Sequence, residues 1–255
     1  MSNLNAVREH YDEFLAEYYD WMFGTPVQAI VEEQKVALQA AGVKSGLGGR
    51  AVDLGCGSGF QSLALRELGY EVLAIDTSEK LLTRLADRAG NRGISTRLAD
   101  IRGLDEFVDG PTFDVAVCMG DTLPHLPQRQ DVSRLFDSIV RALKPGGRFV
   151  LSYRDLARSA LTGSDRFILV RGDAERVMTC FLEYRDSETV TVTDLIHVRN
   201  EGGGWGLRKS SYTKLRLDLG WVRAQLQRSG FTIAEERSGR MCTIVAAKPW
   251  GMPGE

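Results

Sequence analysis

The sequence predicts an α/β fold: a parallel sheet with helices on both faces, interrupted late in the chain by antiparallel strands. Two observations carry that prediction. Helical and strand-like patterns alternate from Thr25 to Arg154, the rhythm of successive β-α-β units. Beyond Arg154 the rhythm changes to β-rich runs at Arg176–Tyr184, Thr189–Val198 and Gly206–Leu217, parted by the turn clusters RDSE and NEGGG with no helical pattern between them. Such runs read as antiparallel strands.

Taken in chain order, the first element is NAVREHYDEFLAEYYDWMF. Tyr11, Phe14, Leu15, Tyr18 and Met22 share one helical face there, with Tyr19 at its edge. That stripe fits a helix packed on the domain, and equally a lid spanning residues 1–45. Next comes VDLGCGSG, Val52–Gly59. Ala51–Leu54 read as a buried strand, and SLALREL starts an amphipathic helix, so the glycines form a strand-to-helix turn. Gly55, Gly57 and Gly59 are free to take backbone angles closed to other residues, which lets a ligand lie against bare main chain at a helix N-terminus. The dinucleotide fingerprint needs its third glycine five places after the first, where this chain has Phe60. A nicotinamide enzyme is therefore disfavoured.

The next strand, Glu71–Ile75, ends on Asp76 and Thr77, 21 positions after Gly55, close to the offset at which an acid meets ribose hydroxyls. A third, STRLAD, ends at Asp100 and Ile101; a fourth, from Phe113, ends at Met119, Gly120 and Asp121. Lys144–Arg154 adds a Pro-Gly-Gly turn and a fifth strand. Each acid alone reads as well as a helix cap or a turn residue. Three acids on three successive strand ends are hard to assign to capping. The chain closes with a helix, Asp218–Ser229, and two strands, Phe231–Glu236 and Met241–Lys248, whose close spacing suggests a hairpin.

An acid two residues before G-x-G-x-G resembles the first motif of the class I S-adenosylmethionine-dependent methyltransferases. The resemblance implies their seven-stranded Rossmann-like sheet with an antiparallel β insertion after strand five, at about 158–217 in a domain of residues 46–255. It also implies S-adenosylmethionine as cofactor, S-adenosylhomocysteine as product, and cofactor contacts from Tyr11, Tyr19, Asp53, Gly55, Cys56, Gly57, Gly59, Asp76, Thr77, Asp100, Ile101, Met119, Gly120 and His125. FDVAVCMGDTLPHLP with LKPGGRFVLSYRDLARSALTG further resembles the glycine and sarcosine N-methyltransferases and related small-molecule enzymes. There, Gly120 and Asp121 would touch substrate, His125 would lie near the methyl donor, and Arg154 would clamp a carboxylate. Asp121 stands where that family has asparagine, and a bare carboxylate repels a bound one. The expected acceptor is therefore an amine-bearing or hydroxylated metabolite, with His125 or Asp121 as base near neutral pKa. Arg154 as a surface ion-pair residue and His125 as a loop residue without a role remain open alternatives.

Composition bounds the classes. At 255 residues, one domain with an insertion is favoured over two domains. With 32 Lys plus Arg against 34 Asp plus Glu, a net of −2, there is no global pull toward nucleic acid or anionic membranes. No basic start, apolar leader or bilayer-length run is evident, so a cytoplasmic protein acting on a small molecule is expected. Cys56, Cys118, Cys180 and Cys242 recur every 62 residues, but their flanks share no pattern. No metal-ligand spacing occurs, and reduced thiols are expected. A tRNA or protein methyltransferase, or a non-catalytic cofactor-binding regulator, are the competing readings.

Overall fold

The computed structural model describes residues 3–90, 93–239 and 241–251. Its main sheet has the order β10-β11-β5-β4-β1-β2-β3, with β1 Arg50–Leu54, β2 Glu71–Asp76, β3 Ile94–Leu98, β4 Phe113–Cys118, β5 Leu143–Tyr153, β10 Thr232–Arg237 and β11 Cys242–Ala247. Strands β1 to β5 run parallel, whereas β11 runs antiparallel to both β5 and β10. The expected α/β class and seven-stranded sheet are therefore correct, as is the closing hairpin. Because β1 lies between β2 and β4, the connections change direction there, and the crevice at the carboxyl ends of these strands is where open α/β sheets hold ligands.

The strands are buried because helices cover both faces. On one side α3 (Val27–Ala40) and α4 (Phe60–Glu67) contribute Val31, Leu38, Ala64 and Leu65, which pack against Ala51, Val72, Val115 and Val150. On the other, α6 (Arg129–Ala142) and α7 (Leu219–Arg228) bring Phe136, Ile139, Val222 and Leu226 against Val52, Ala116, Phe149 and Leu151. Helix α5, Glu79–Ala89, is capped by Ser78 Oγ accepting from the Leu81 N–H. Burial on both faces explains why β1, β4 and the end of β5 read as continuous apolar runs rather than alternating ones, whereas β3 and β10 at the two edges are largely exposed.

The insertion forms its own antiparallel meander, β6 Phe167–Gly172, β7 Arg176–Tyr184, β8 Thr189–Arg199 and β9 Trp205–Leu215. It contains one strand more than the sequence reading. Strand β6 was missed because FILVRG has no period-two alternation; it is a mostly exposed edge. Strands β7 and β8 do alternate between buried and less buried positions, so one face of this sheet requires a cover. The N-terminal segment supplies it. Val7 packs with Cys180, Leu182, Val190 and Tyr212, and Phe14, Leu15 and Tyr18 pack with Met178 and Ile196.

That segment is not the single regular helix its stripe suggested. Asn3–Glu9 (α1) passes into a π-helical stretch, His10–Leu15, then a 3₁₀ turn, Ala16–Tyr18, and a short α2, Tyr19–Phe23. Gly24, at φ 73°, ends it in the left-handed conformation. The wider winding changes which residues share a face. It brings Tyr11 and Tyr19, off-register in a regular helix, to ring centroids 6.4 Å apart.

Candidate functional site

A cavity of about 420 Å³ opens at the carboxyl ends of the parallel strands, beneath the N-terminal segment. Its floor is the turn after β1. Gly55, Gly57 and Gly59 have φ of 74°, 54° and 91°, and a Cβ on Gly55 or Gly57 would come within 2.2 Å of Thr122 or 2.7 Å of Tyr19 Oη. Beside this turn, Asp76 accepts the Gly57 N–H at 2.8 Å and the Ser78 N–H at 2.9 Å. Burial raises the Asp76 pKa, and the N–H groups of Ser78, Gly57 and Thr77 oppose the rise. Each carboxylate oxygen has two lone pairs, so acceptor capacity remains for a ligand's hydroxyls.

Of the cofactor residues expected from sequence, Tyr11, Tyr19, Gly55, Cys56, Gly57, Asp76, Thr77, Asp100, Ile101, Met119, Gly120 and His125 line this one cavity. Asp53 and Gly59 are not among its lining residues. Asp53 is buried beneath the turn, where its Oδ2 accepts from Ser62 Oγ at 2.6 Å; burial pushes its pKa to about 7 despite that bond. The motif acid thus braces strand against helix. Gly59 packs on Leu85, which a Cβ would meet at 2.1 Å. Asp100 caps the 3₁₀ turn Ile101–Glu106 through the Arg102 N–H and pairs with the Arg102 guanidinium at 2.8 Å, and it also lines the cavity.

The far end is assembled from distant segments. Asp121 is the one non-glycine described with positive φ, at 80°, a strained conformation held by its surroundings. Its N–H donates to Ser152 O at 3.2 Å. Its Oδ1 accepts the Arg154 N–H at 2.9 Å, and its Oδ2 accepts from Lys214 Nζ at 2.6 Å. The sequence reading had Asp121 free to act as a base or to meet a substrate ammonium. The structure instead gives it a cationic partner of its own.

His125 also differs from its expected chemistry. Its Nε2 lies 3.2 Å from Tyr11 Oη, its ring stacks on Tyr212 with centroids 5.2 Å apart, and its buried Nδ1 has no partner among the described groups. Burial, then the charges of Lys214 and His10, hold its pKa well below the ordinary value. It is a neutral imidazole and a weak base, not one poised near neutrality. Arg154 is exposed at the cavity wall, and its guanidinium makes no ion pair among the described residues. Sequence reasoning missed Lys214, Tyr212 and Ser152 at this end, and Phe23, Gln34, Phe60 and Gln61 at the other. Phe60, already noted as a departure from the dinucleotide fingerprint, and Lys214, in the KLRL run to which the family resemblance extends, had a signal to follow.

Residues 52–151 match the family described as a methyltransferase domain. A glycine/sarcosine N-methyltransferase of Parasynechococcus marenigrum is 33% identical over 120 residues, 46% of this chain and 42% of that protein. Other relatives include both N- and O-methyltransferases, and the chain spans about half the length of the curated relatives it matches. Among solved structures, the CcbJ methyltransferase of Streptomyces caelestis superposes with a TM-score of 0.76 at 21% identity, covering 94% of this chain and 98% of that one. An amino pentose methyltransferase of Micromonospora echinaspora, solved with S-adenosylmethionine bound, gives 0.73 at 17% identity over 91% and 95%. Residues 52–151 carry a methyltransferase domain, within the fold that these methyltransferase structures share. The cavity fits S-adenosylmethionine: a glycine floor without side chains, a half-buried acid with free lone pairs at Asp76, and the apolar Ile101 beside Asp100 for a purine.

Proposed function

We propose that the protein transfers a methyl group from S-adenosylmethionine to an amine nitrogen of a small polar metabolite. The observation that carries this reading is the single roofed cavity. It joins the Gly55–Asp76 cradle to an end lined by Tyr11, His125 and Arg154. Net charge of −2 points the same way. The near-complete coverage by an amino pentose methyltransferase supports an acceptor of amino sugar or amino acid size.

When bound, S-adenosylmethionine supplies a methyl group already activated on a sulfonium. The task left to the protein is alignment, which can contribute on the order of 7 kcal/mol or more. Asp76 would hold the ribose and Asp100 with Ile101 the adenine. Tyr11 and Tyr19 roof the chamber and exclude water. His125, its pKa held low, sits with Nε2 3.2 Å from Tyr11 Oη and can position that hydroxyl toward an acceptor without holding a competing positive charge. Arg154 offers two parallel donors to an anionic group.

The test is calorimetry with S-adenosylhomocysteine and nicotinamide cofactors, followed by a methyl-transfer screen of amines, amino acids, hydroxylated metabolites, tRNA and protein. Binding of the homocysteine nucleoside alone, with transfer to small amines, is the expected outcome. Activity confined to tRNA or protein would overturn the acceptor assignment, and binding without transfer to any acceptor would favour a regulatory protein.

A further inference from the structure

Lys214 enters from β9 of the insertion, 93 residues from Asp121 in sequence, and both side chains are nine-tenths buried. Such a pair is an unusual thing to bury, because desolvating two charges commonly costs as much as their attraction returns. Its location suggests what the pair is for. Asp121 stands at the cavity wall beside Arg154, and its carboxylate also accepts the Arg154 backbone N–H. Left alone, that carboxylate would repel an anionic substrate group and compete with it for the guanidinium.

Lys214 reverses the electrostatics. With Asp121 paired to Lys214, Arg154 is the charged side chain at this end of the cavity wall that makes no ion pair among the described residues. We propose that Lys214 is a specificity-determining positioning residue that cancels Asp121 and so selects an amine acceptor bearing an anionic group, carboxylate or phosphate, for Arg154 to hold. This rests on the small-molecule amine reading above and replaces the expectation that Asp121 itself selects for positive charge.

Matched probes test it on S-adenosylhomocysteine-loaded protein: glycine against glycinamide for a carboxylate, and glucosamine 6-phosphate against glucosamine for a phosphate, with binding followed by ligand-observed NMR. The wild type is expected to favour the anionic member of at least one pair by roughly ten-fold; which pair responds identifies the anion. Lys214→Met should abolish or invert that preference, Lys214→Arg should keep it, and the charge-balanced Lys214→Met/Asp121→Asn protein should restore it, which also covers misfolding of the single variant. A merely structural role would weaken both members of a pair alike, and that result overturns the proposal. So does a wild type that binds neither anionic probe better than its partner lacking the anion. Failure of the wild type to bind S-adenosylhomocysteine would instead remove the methyltransferase reading and this inference with it.

Discussion

The two ends of the cavity are built in different ways. The proposed cofactor end comes from consecutive strands, where each functional group stands at its strand's end or within two residues of it: Gly55 after β1, Asp76 at the end of β2, Asp100 after β3. The acceptor end joins Asp121 after β4, Arg154 after β5, Lys214 on β9 and Tyr11 on the N-terminal segment. Local backbone geometry makes the first; a buried network across three segments makes the second. The first should therefore lose ligand affinity without much loss of fold when altered, and the second should lose fold and selectivity together.

The sharpest break between them is Lys214→Met. It leaves Asp121 charged, buried and unpaired, which typically costs about 3 to 5 kcal/mol. Urea unfolding should show that loss, and Lys214→Met/Asp121→Asn should recover most of it. Asp76→Ala is the counterpart at the other end: cofactor affinity should fall by roughly 1.5 to 3 kcal/mol, the range for hydrogen bonds to a charged group, with little change in unfolding midpoint. A large stability loss there would show that Asp76 serves the turn more than the ligand.

A subtler probe is the pH dependence conferred by Asp53. Its folded pKa, about 7, stands above its ordinary value of 3.8, so the folded protein binds more protons than the unfolded chain between those values. Its contribution to stability is fully present below the lower value and is lost as pH rises through the upper one. Asp53→Asn should remove this slope from unfolding curves measured between about pH 4 and 8. An unchanged slope would mean that Asp53 ionises freely. The smallest effect is expected for Tyr11→Phe, which removes the hydroxyl next to His125 Nε2. Turnover should fall by the equivalent of about 0.5 to 1.5 kcal/mol while S-adenosylhomocysteine affinity is nearly kept. If affinity fell as far as turnover, Tyr11 would belong to the cofactor's binding rather than to the acceptor's orientation.

The same division governs how much the sequence revealed. The glycine turn, Asp76 and Asp100 were legible because conformational need and chemical type coincide in a few consecutive residues. Even there Asp53 misled, since an acid before a glycine turn reads as a ligand contact whether it faces the cavity or Ser62. Strand β6 was invisible because it is an exposed edge without alternation. The π-helical stretch that turns Tyr11 and Tyr19 to one cavity leaves no mark in a pattern read at 3.6 residues per turn.

The sequence by itself determined the α/β architecture and the glycine turn that floors the cavity, because hydrophobic period and positive-φ glycines act over a few neighbouring residues. Tertiary structure alone decided the charges at the acceptor end. Whether Asp121 repels or admits an anion depends on a lysine 93 positions away, and whether His125 can take a proton depends on its burial near that same lysine. Charge state follows from distance and dielectric in space, and neither is written in spacing along the chain.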